Sequence, residues 1–196
     1  MPGPTAAAVL RLARLDDIER INALIAESAA ALSRGYYSPA QVEALVAHLF
    51  GADSQLLRDG TYYIIERGGA PEACGGWSRR RTLFGGDQAK EKEDPLLDPR
   101  RDAARIRAFF VHPSAARQGH GRALLLRGEA DALAAGFRRA ELMSTLPGVP
   151  FYAALGYEAH ERVRHPLPGG QMAEFVRMSR ELSARAEDAG TGGDDH

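Results

Sequence analysis

A chain of 196 residues with 44% apolar residues is long enough for one domain with a real core, or for one domain and a tail. Its formal net charge of −1 supplies no basic field for nucleic acid or an anionic membrane surface, and no run reaches the ~20 apolar residues of a membrane-spanning helix. The single cysteine, Cys74, excludes an internal disulfide, and with a Met-Pro-Gly-Pro start lacking an apolar signal core it predicts a cytoplasmic protein.

In chain order, Ala6 to Leu15 reads as a first strand carried by Val9, Leu10 and Leu12. Asp16-Asp17 then opens a helix, where acidic residues suit the first turn, and Ile18, Ile21, Leu24 and Ile25 recur at helical spacing. Ser38 is a good N-cap and Pro39 a good first residue for a second helix, with Val42, Leu45, Val46 and Leu49 on one face. Thr61 to Glu66 and Ala73 to Arg81 read as paired strands across Arg67-Gly68-Gly69. Gly75-Gly76 inside the second predicts a bulge or a close ligand approach. Thr82 to Ala103 is polar, aperiodic and proline-bearing, and is expected either as a lid beside an acceptor site or as a disordered loop.

Ala104 to Val111 is apolar on both faces at its end, as a central strand requires. Alternation puts Ile106, Ala108 and Phe110 on one face, Phe109 and Val111 on the other. The helix that begins at Gly119 is expected to bury Ala123, Leu126, Ala130 and Leu133 and to end at Gly136. A strand from Phe137 to Ser144, a short helix holding Phe151, Tyr152 and Leu155, and a closing hairpin of Tyr157 to His165 with Met172 to Leu182 complete a domain over residues 1–182. Residues 183–196 form a polar, acidic tail expected to be disordered.

The stretch from Ile106 to Leu126 carries most of the chemistry. An apolar strand stops at Pro113, a basic glycine-bearing turn follows, and an Ala/Leu-rich helix begins. Uncovered backbone N–H groups and the positive end of a helix dipole make such a turn an anion cradle. Gly119 and Gly121 allow close approach, and Arg117 and Arg122 bracket the turn. A phosphate loop of the Walker type is excluded because Arg122-Ala123 follow Gly121, and a dinucleotide fingerprint because Leu124 holds the third glycine position. The six histidines are scattered without metal-ligand spacing, so no metal is expected.

Val111-His112-Pro113 through Leu126, with Phe151-Tyr152-Ala153-Ala154-Leu155-Gly156-Tyr157, resembles the GCN5-related N-acetyltransferase superfamily. Its central motif reads Arg/Gln-x-x-Gly-x-Gly/Ala after a Val-x-Pro strand end. Here Ala116 holds the first Arg/Gln slot and Arg117 stands one place on. The resemblance implies an α/β (α+β) fold: a mixed, mostly antiparallel sheet of six or seven strands, helices on both faces, and a central parallel pair splayed at the cofactor site. It implies acetyl-CoA as co-substrate, held by Arg117, Gln118, Gly119, His120, Gly121 and Arg122, with backbone contacts at Phe109 and Val111 to the pantetheine arm. Tyr152, at the family's tyrosine position, becomes the general acid, since a phenol with a pKa near ~10 suits protonation of a departing thiolate.

The activity implied is direct N-acetylation of a primary amine of a small molecule. A non-catalytic acyl-CoA binding or sensing module of the same fold is the alternative. Glu66, Asp94 and His112 are candidates for the base, and a water chain would serve as well. The acceptor wall is expected from residues 33–38, 82–103 and 156–165. Their Tyr36, Tyr37, Arg34, Arg100 and Arg101 suit a carboxylate-bearing amine about as well as an aromatic one. A homodimer is plausible by the same resemblance.

Overall fold

The computed structural model describes residues 6–89 and 93–183. The acidic tail lies outside the described residues, apart from Ser183. Seven strands form one sheet: β1 (Ala8–Leu12), β2 (Tyr62–Arg67), β3 (Ala70–Ser78), β4 (Ala104–Val111), β5 (Arg139–Thr145), β6 (Glu158–Leu167) and β7 (Gln171–Glu181), in the order β1-β2-β3-β4-β5-β7-β6. Every neighbouring pair is antiparallel except β4 with β5. The helices are α1 (Ile18–Leu32), α2 (Pro39–His48), α3 (Ser54–Arg58), α4 (His120–Ala134) and α5 (Val149–Ala154).

Alternation along β2 sorts the core into two layers, because successive side chains of a strand leave opposite faces. Tyr63 and Ile65 pack with Trp77, Leu124, Leu125 and Tyr152 on the α4–α5 side. Tyr62 and Ile64 pack with Ile21, Leu24, Ile25, Leu56 and Leu57 on the α1–α3 side. A third cluster seats Leu45 of α2 and Leu49 just after it on Phe175 and Ala173 of β7. Ser38 caps α2 as its sequence predicts: its side chain accepts from the Gln41 N–H, and the Gln41 side chain reaches back to the Ser38 N–H.

Strand β4 departs from simple alternation. Between the Cys74–Phe110 and Gly76–Arg107 pairs, β3 contributes one residue and β4 contributes two, so β4 carries a bulge at Ala108 and Phe109. Ala108 takes a φ of 55°, and the bulge turns the strand. Ile106 therefore shares the α4 side with Phe109 and Val111, while Ala108 and Phe110 face α1. This corrects the face expected for Ile106, since pure alternation has no place for the extra residue. Gly75 is the seat for the bulged ring: a Cβ there would lie 2.7 Å from Phe109. A Cβ on Gly76 would lie 2.3 Å from the Thr61 carbonyl. Both glycines make room for the protein's own atoms, and the bulge beside Gly75 lies in the neighbouring β4, not in the strand that carries the glycines.

Helix α4 corrects a second expectation. It buries Leu124, Leu125, Gly128, Glu129 and Ala132, while Ala123 and Ala130 are exposed. Apolar residues occur nearly all round this helix, so its periodicity does not single out one face. The sheet chooses it: Gly128 lies against Trp77, where an added Cβ would meet the Trp77 Cβ at 3.7 Å.

At the β1 edge, Arg11 joins two carboxylates, with Nη1 2.8 Å from Asp17 and Nε 2.8 Å from Glu66, and Arg20 adds 2.7 Å to Glu66. Hydrogen bonding from Arg11 lowers Asp17 from 3.8 to about 2, and Arg11 with Arg20 lowers Glu66 from 4.5 to about 2. Both folded-state values lie below the unfolded ones, so the unfolded chain takes up more protons as pH falls. The stabilisation is complete above the ordinary carboxylate range and disappears on descent toward pH 2. The urea midpoint should fall steadily between about pH 4.5 and 2, and Glu66→Gln should flatten that fall. A midpoint independent of pH over this window would contradict it.

Candidate active site

Strands β4 and β5 pair only at Ala104–Ala140 and Arg105–Glu141, and then diverge. Met143, Ser144 and Thr145 of β5 and Ile106 to Val111 of β4 line a cavity of about 250 Å³ in the gap. The backbone of Val111 points into this gap. His112 N–H donates to the Glu72 carbonyl at 2.8 Å, one position beyond the Ala73–Val111 pair, so Val111 is a non-hydrogen-bonded residue of the β3 ladder. Its own N–H and C=O consequently face the β5 side.

At the mouth of the gap, β4 stops at Pro113, and one turn of 3-10 helix (Pro113–Ala115) leads into the loop before α4. Arg117, with φ 66°, and Gly119, with φ 85°, both take left-handed conformations. Two such residues in quick succession bend the backbone so that N–H groups line a concave surface. Helix α4 begins with Gly119 as N-cap and no side-chain cap, leaving its first N–H groups to an outside acceptor. Arg117, Gln118, Gly119 and Arg122 are exposed. The loop is braced from behind, since His120 Nε2 lies 2.8 Å from Glu72, which also takes Arg67 at 2.7 Å.

Tyr152 sits on α5 over the same gap, 9% exposed, with ring contacts to Phe109, Phe151 and Tyr157. No hydrogen bond to its hydroxyl occurs among the described residues, and burial pushes its pKa well above the ordinary phenol value. Tyr152 is a lining residue of the cavity, and its hydroxyl stays protonated. The turn before it is held by Tyr37, whose hydroxyl accepts from Leu146 N–H at 3.0 Å and donates to the Glu174 carbonyl.

The far side of the cavity is closed by α1, the end of α2 and the strap Leu83 to Gly86. The strap is tied down by Gly86 N–H to the Leu49 carbonyl at 2.8 Å and by Arg107, whose Nη2 donates to the Gly85 carbonyl. Arg107 is itself buried, with Nη2 3.0 Å from Asp53.

The sequence matches the acetyltransferase (GNAT) family model over residues 8–157. The chain belongs to the GNAT acetyltransferase family. Its fold is shared with a GCN5-related N-acetyltransferase from Rhodopseudomonas palustris, at 20% identity, covering 93% of this chain and 100% of that one, with a TM-score of 0.66. It is also similar to the PaiA N-acetyltransferase of Thermoplasma acidophilum, solved with coenzyme A, at 14% identity, 89% and 99% coverage and a TM-score of 0.62. A phosphinothricin acetyltransferase from Sinorhizobium meliloti, solved with acetyl-CoA, shares 22% identity over 89% and 88% of the two chains with a TM-score of 0.58. Comparison with curated proteins gives no match.

In this GNAT chain the structure gathers Phe109, Val111, Gly121 and Tyr152 around one cavity, with Arg117, Gln118, Gly119 and Arg122 exposed on the loop that leads to α4. Two of the loop residues also meet the protein's own groups. His120 is occupied by Glu72, and Gly121 makes room for Phe151, whose ring would lie 3.2 Å from an added Cβ. None of the three candidate bases lines the cavity. Glu66 belongs to the Arg11 cluster, His112 bonds Glu27 at 2.8 Å, and Asp94 accepts from Thr82 N–H at 2.7 Å. Only part of the expected acceptor wall lines this cavity. Ser33 and Leu83 to Gly86 contribute, whereas Tyr36, Tyr37, Arg34, Arg100, Arg101 and residues 156–165 do not. Residues 90–92 of the expected lid lie outside the described residues; the described remainder is pinned by an Arg80–Leu96 bridge and by Arg80 to Asp59 at 2.7 Å. Arg107 and Phe175 were missed, since an arginine in a central strand and a phenylalanine in a hairpin carry no local signal of a site.

No helix among the described residues is long and apolar enough to cross a membrane, and no group of three or more His, Cys, Asp or Glu there could hold a metal ion.

Proposed function

We propose that this acetyltransferase moves the acetyl group of acetyl-CoA directly onto the primary amine of a small molecule. The observation that supports the reading is the divergence of β4 from β5 after Arg105, which opens one cavity lined by both Val111 and Tyr152. The residues present fit the co-substrate. The uncapped start of α4 and the exposed turn 117–119 suit a diphosphate, and the open edge of β4 suits an extended amide-bearing arm.

Backbone N–H groups from Arg117 to Arg122 would hold the diphosphate, with Arg117 and Arg122 adding charge. Phe109 and Val111 would pair with the arm through their backbones. Acetyl-CoA supplies an activated acyl carbon. A β4 N–H would polarise its carbonyl, and Tyr152 Oη would give a proton to the departing sulfur. No carboxylate lines the cavity among the described residues, so the amine proton would leave through water.

Calorimetry of the full chain with acetyl-CoA tests the reading, and absence of heat at millimolar ligand would end it. Binding without thiol release over an amine panel would mark the chain as an acyl-CoA binding module instead. Val111→Pro removes one N–H on the gap side of β4 and none from the β3 ladder. It should raise the KM for acetyl-CoA about tenfold, the upper range for one lost hydrogen bond of ~1.5 kcal/mol. Unchanged kinetics in a folded variant would remove Val111 from the site.

A further inference from the structure

The acceptor half of the cavity is walled by Leu49, Phe50, Phe84, Phe110, Met143 and Phe175. Phe50 meets Phe110 edge-on at 5.4 Å, and Phe84 meets Phe175 at 5.6 Å. The rings come from four separate segments: the loop after α2, the strap, β4 and β7. Among the described lining residues Arg107 alone carries a formal charge, and it is positive. Asp53, 3.0 Å behind it, neutralises it, so the pair offers no surplus negative charge to an ammonium group. The remaining polar side chains of the lining, such as Ser28, Ser33, Ser144 and Thr145, are uncharged.

A protonated alkylamine brought into such a wall would lose its hydration with no carboxylate to replace it, which is strongly unfavourable. With a pKa near ~10, only about one alkylamine molecule in a thousand is neutral at pH 7. An amine attached directly to an aromatic ring is neutral there already. It needs no base to become a nucleophile, and its flat ring suits a box of phenylalanine edges.

On this basis, and resting on the acetyl-transfer reading above, we propose that the acceptor is a weakly basic aromatic amine whose ring occupies the box formed by Phe50, Phe84, Phe110 and Phe175. The new N–C bond forms as the C–S bond breaks, Tyr152 Oη supplies the proton taken up by sulfur, the nitrogen sheds one proton to water, and water returns a proton to Tyr152 Oη. This separates the aromatic acceptor from the carboxylate-bearing one that the sequence left equally open.

The test is thiol release by the purified full chain with acetyl-CoA and three amines: a para-alkyl aniline, phenethylamine and phenylalanine. The aniline should give a kcat/KM at pH 7 at least tenfold above either competitor and constant from pH 6 to 9. Phenethylamine should gain close to tenfold per pH unit over that range. Leu32→Glu places a carboxylate on an exposed cavity residue, 41% accessible, where a charge need not be buried. It should shift the phenethylamine-to-aniline ratio at least tenfold toward phenethylamine. A preference for phenethylamine or phenylalanine at pH 7 would overturn the proposal. So would an unmoved ratio in the Leu32→Glu chain, or acetyl-CoA binding by calorimetry without turnover of any aniline. That last result leaves the cofactor reading standing, whereas failure to bind acetyl-CoA removes that reading and this one together.

Discussion

Tyr152→Phe is expected to lower kcat about a hundredfold or more while leaving the dissociation constant for acetyl-CoA within about twofold, the range a positioned general acid supplies. The ring contacts with Phe109 at 6.4 Å, Phe151 at 5.0 Å and Tyr157 at 5.7 Å are made by carbon atoms that phenylalanine keeps. What is lost is one hydroxyl that holds no partner among the described residues, on a residue that lines the cavity. Desolvation keeps that hydroxyl protonated at every working pH, so the wild-type kcat should show no alkaline fall from this group up to pH 10. Equal turnover by the variant would reduce Tyr152 to a packing residue and return the leaving-group proton to solvent.

Asp53→Ala should be the most destabilising change in the site region, by about 3–5 kcal/mol, because it strands a buried guanidinium. The Arg107 side chain is 1% exposed and that of Asp53 is 0% exposed, with 3.0 Å between them. Burial alone lowers the Arg107 pKa, and the Asp53 carboxylate is the nearest charge acting against that fall. Asp53 also caps α3, accepting from Gln55 N–H at 2.9 Å, and losing a cap adds ~1 kcal/mol. The urea midpoint measures the sum. The pair term is isolated by a cycle with Arg107→Met: the double variant should be more stable than additivity allows by about 1–3 kcal/mol. Strict additivity would show that the pair contributes only through the cap. Since Arg107 also holds the Gly85 carbonyl, Arg107→Met should raise the acceptor KM more than the acetyl-CoA KM.

Much of the fold was legible because local chemistry dictates it. Ser38-Pro39 with Gln41 specified the start of α2, and the run from Pro113 to Arg122 specified a turn and a helix start with open N–H groups. Alternation failed at Ile106, where one extra residue in β4 reverses the facing of everything after it. Helical periodicity failed in α4, because an Ala/Leu-rich helix presents apolar surface nearly all round and only its neighbours select a side. Helix α3 escaped notice because five residues are too few for a period to show.

The amino-acid order by itself determined most of the element succession, the glycine-bearing turn and open helix start after β4, and the place of Tyr152 on α5. Each depends on residues within a few positions of one another, where backbone preference and capping act. Only the tertiary structure decided which side chains share the cavity. Arg107 meets Asp53 and the Gly85 carbonyl, and Phe50, Phe84, Phe110 and Phe175 converge, through sheet register and close packing that join segments far apart in the chain. The proposed acceptor chemistry rests on that convergence, in volume and charge between elements, where no local pattern records it.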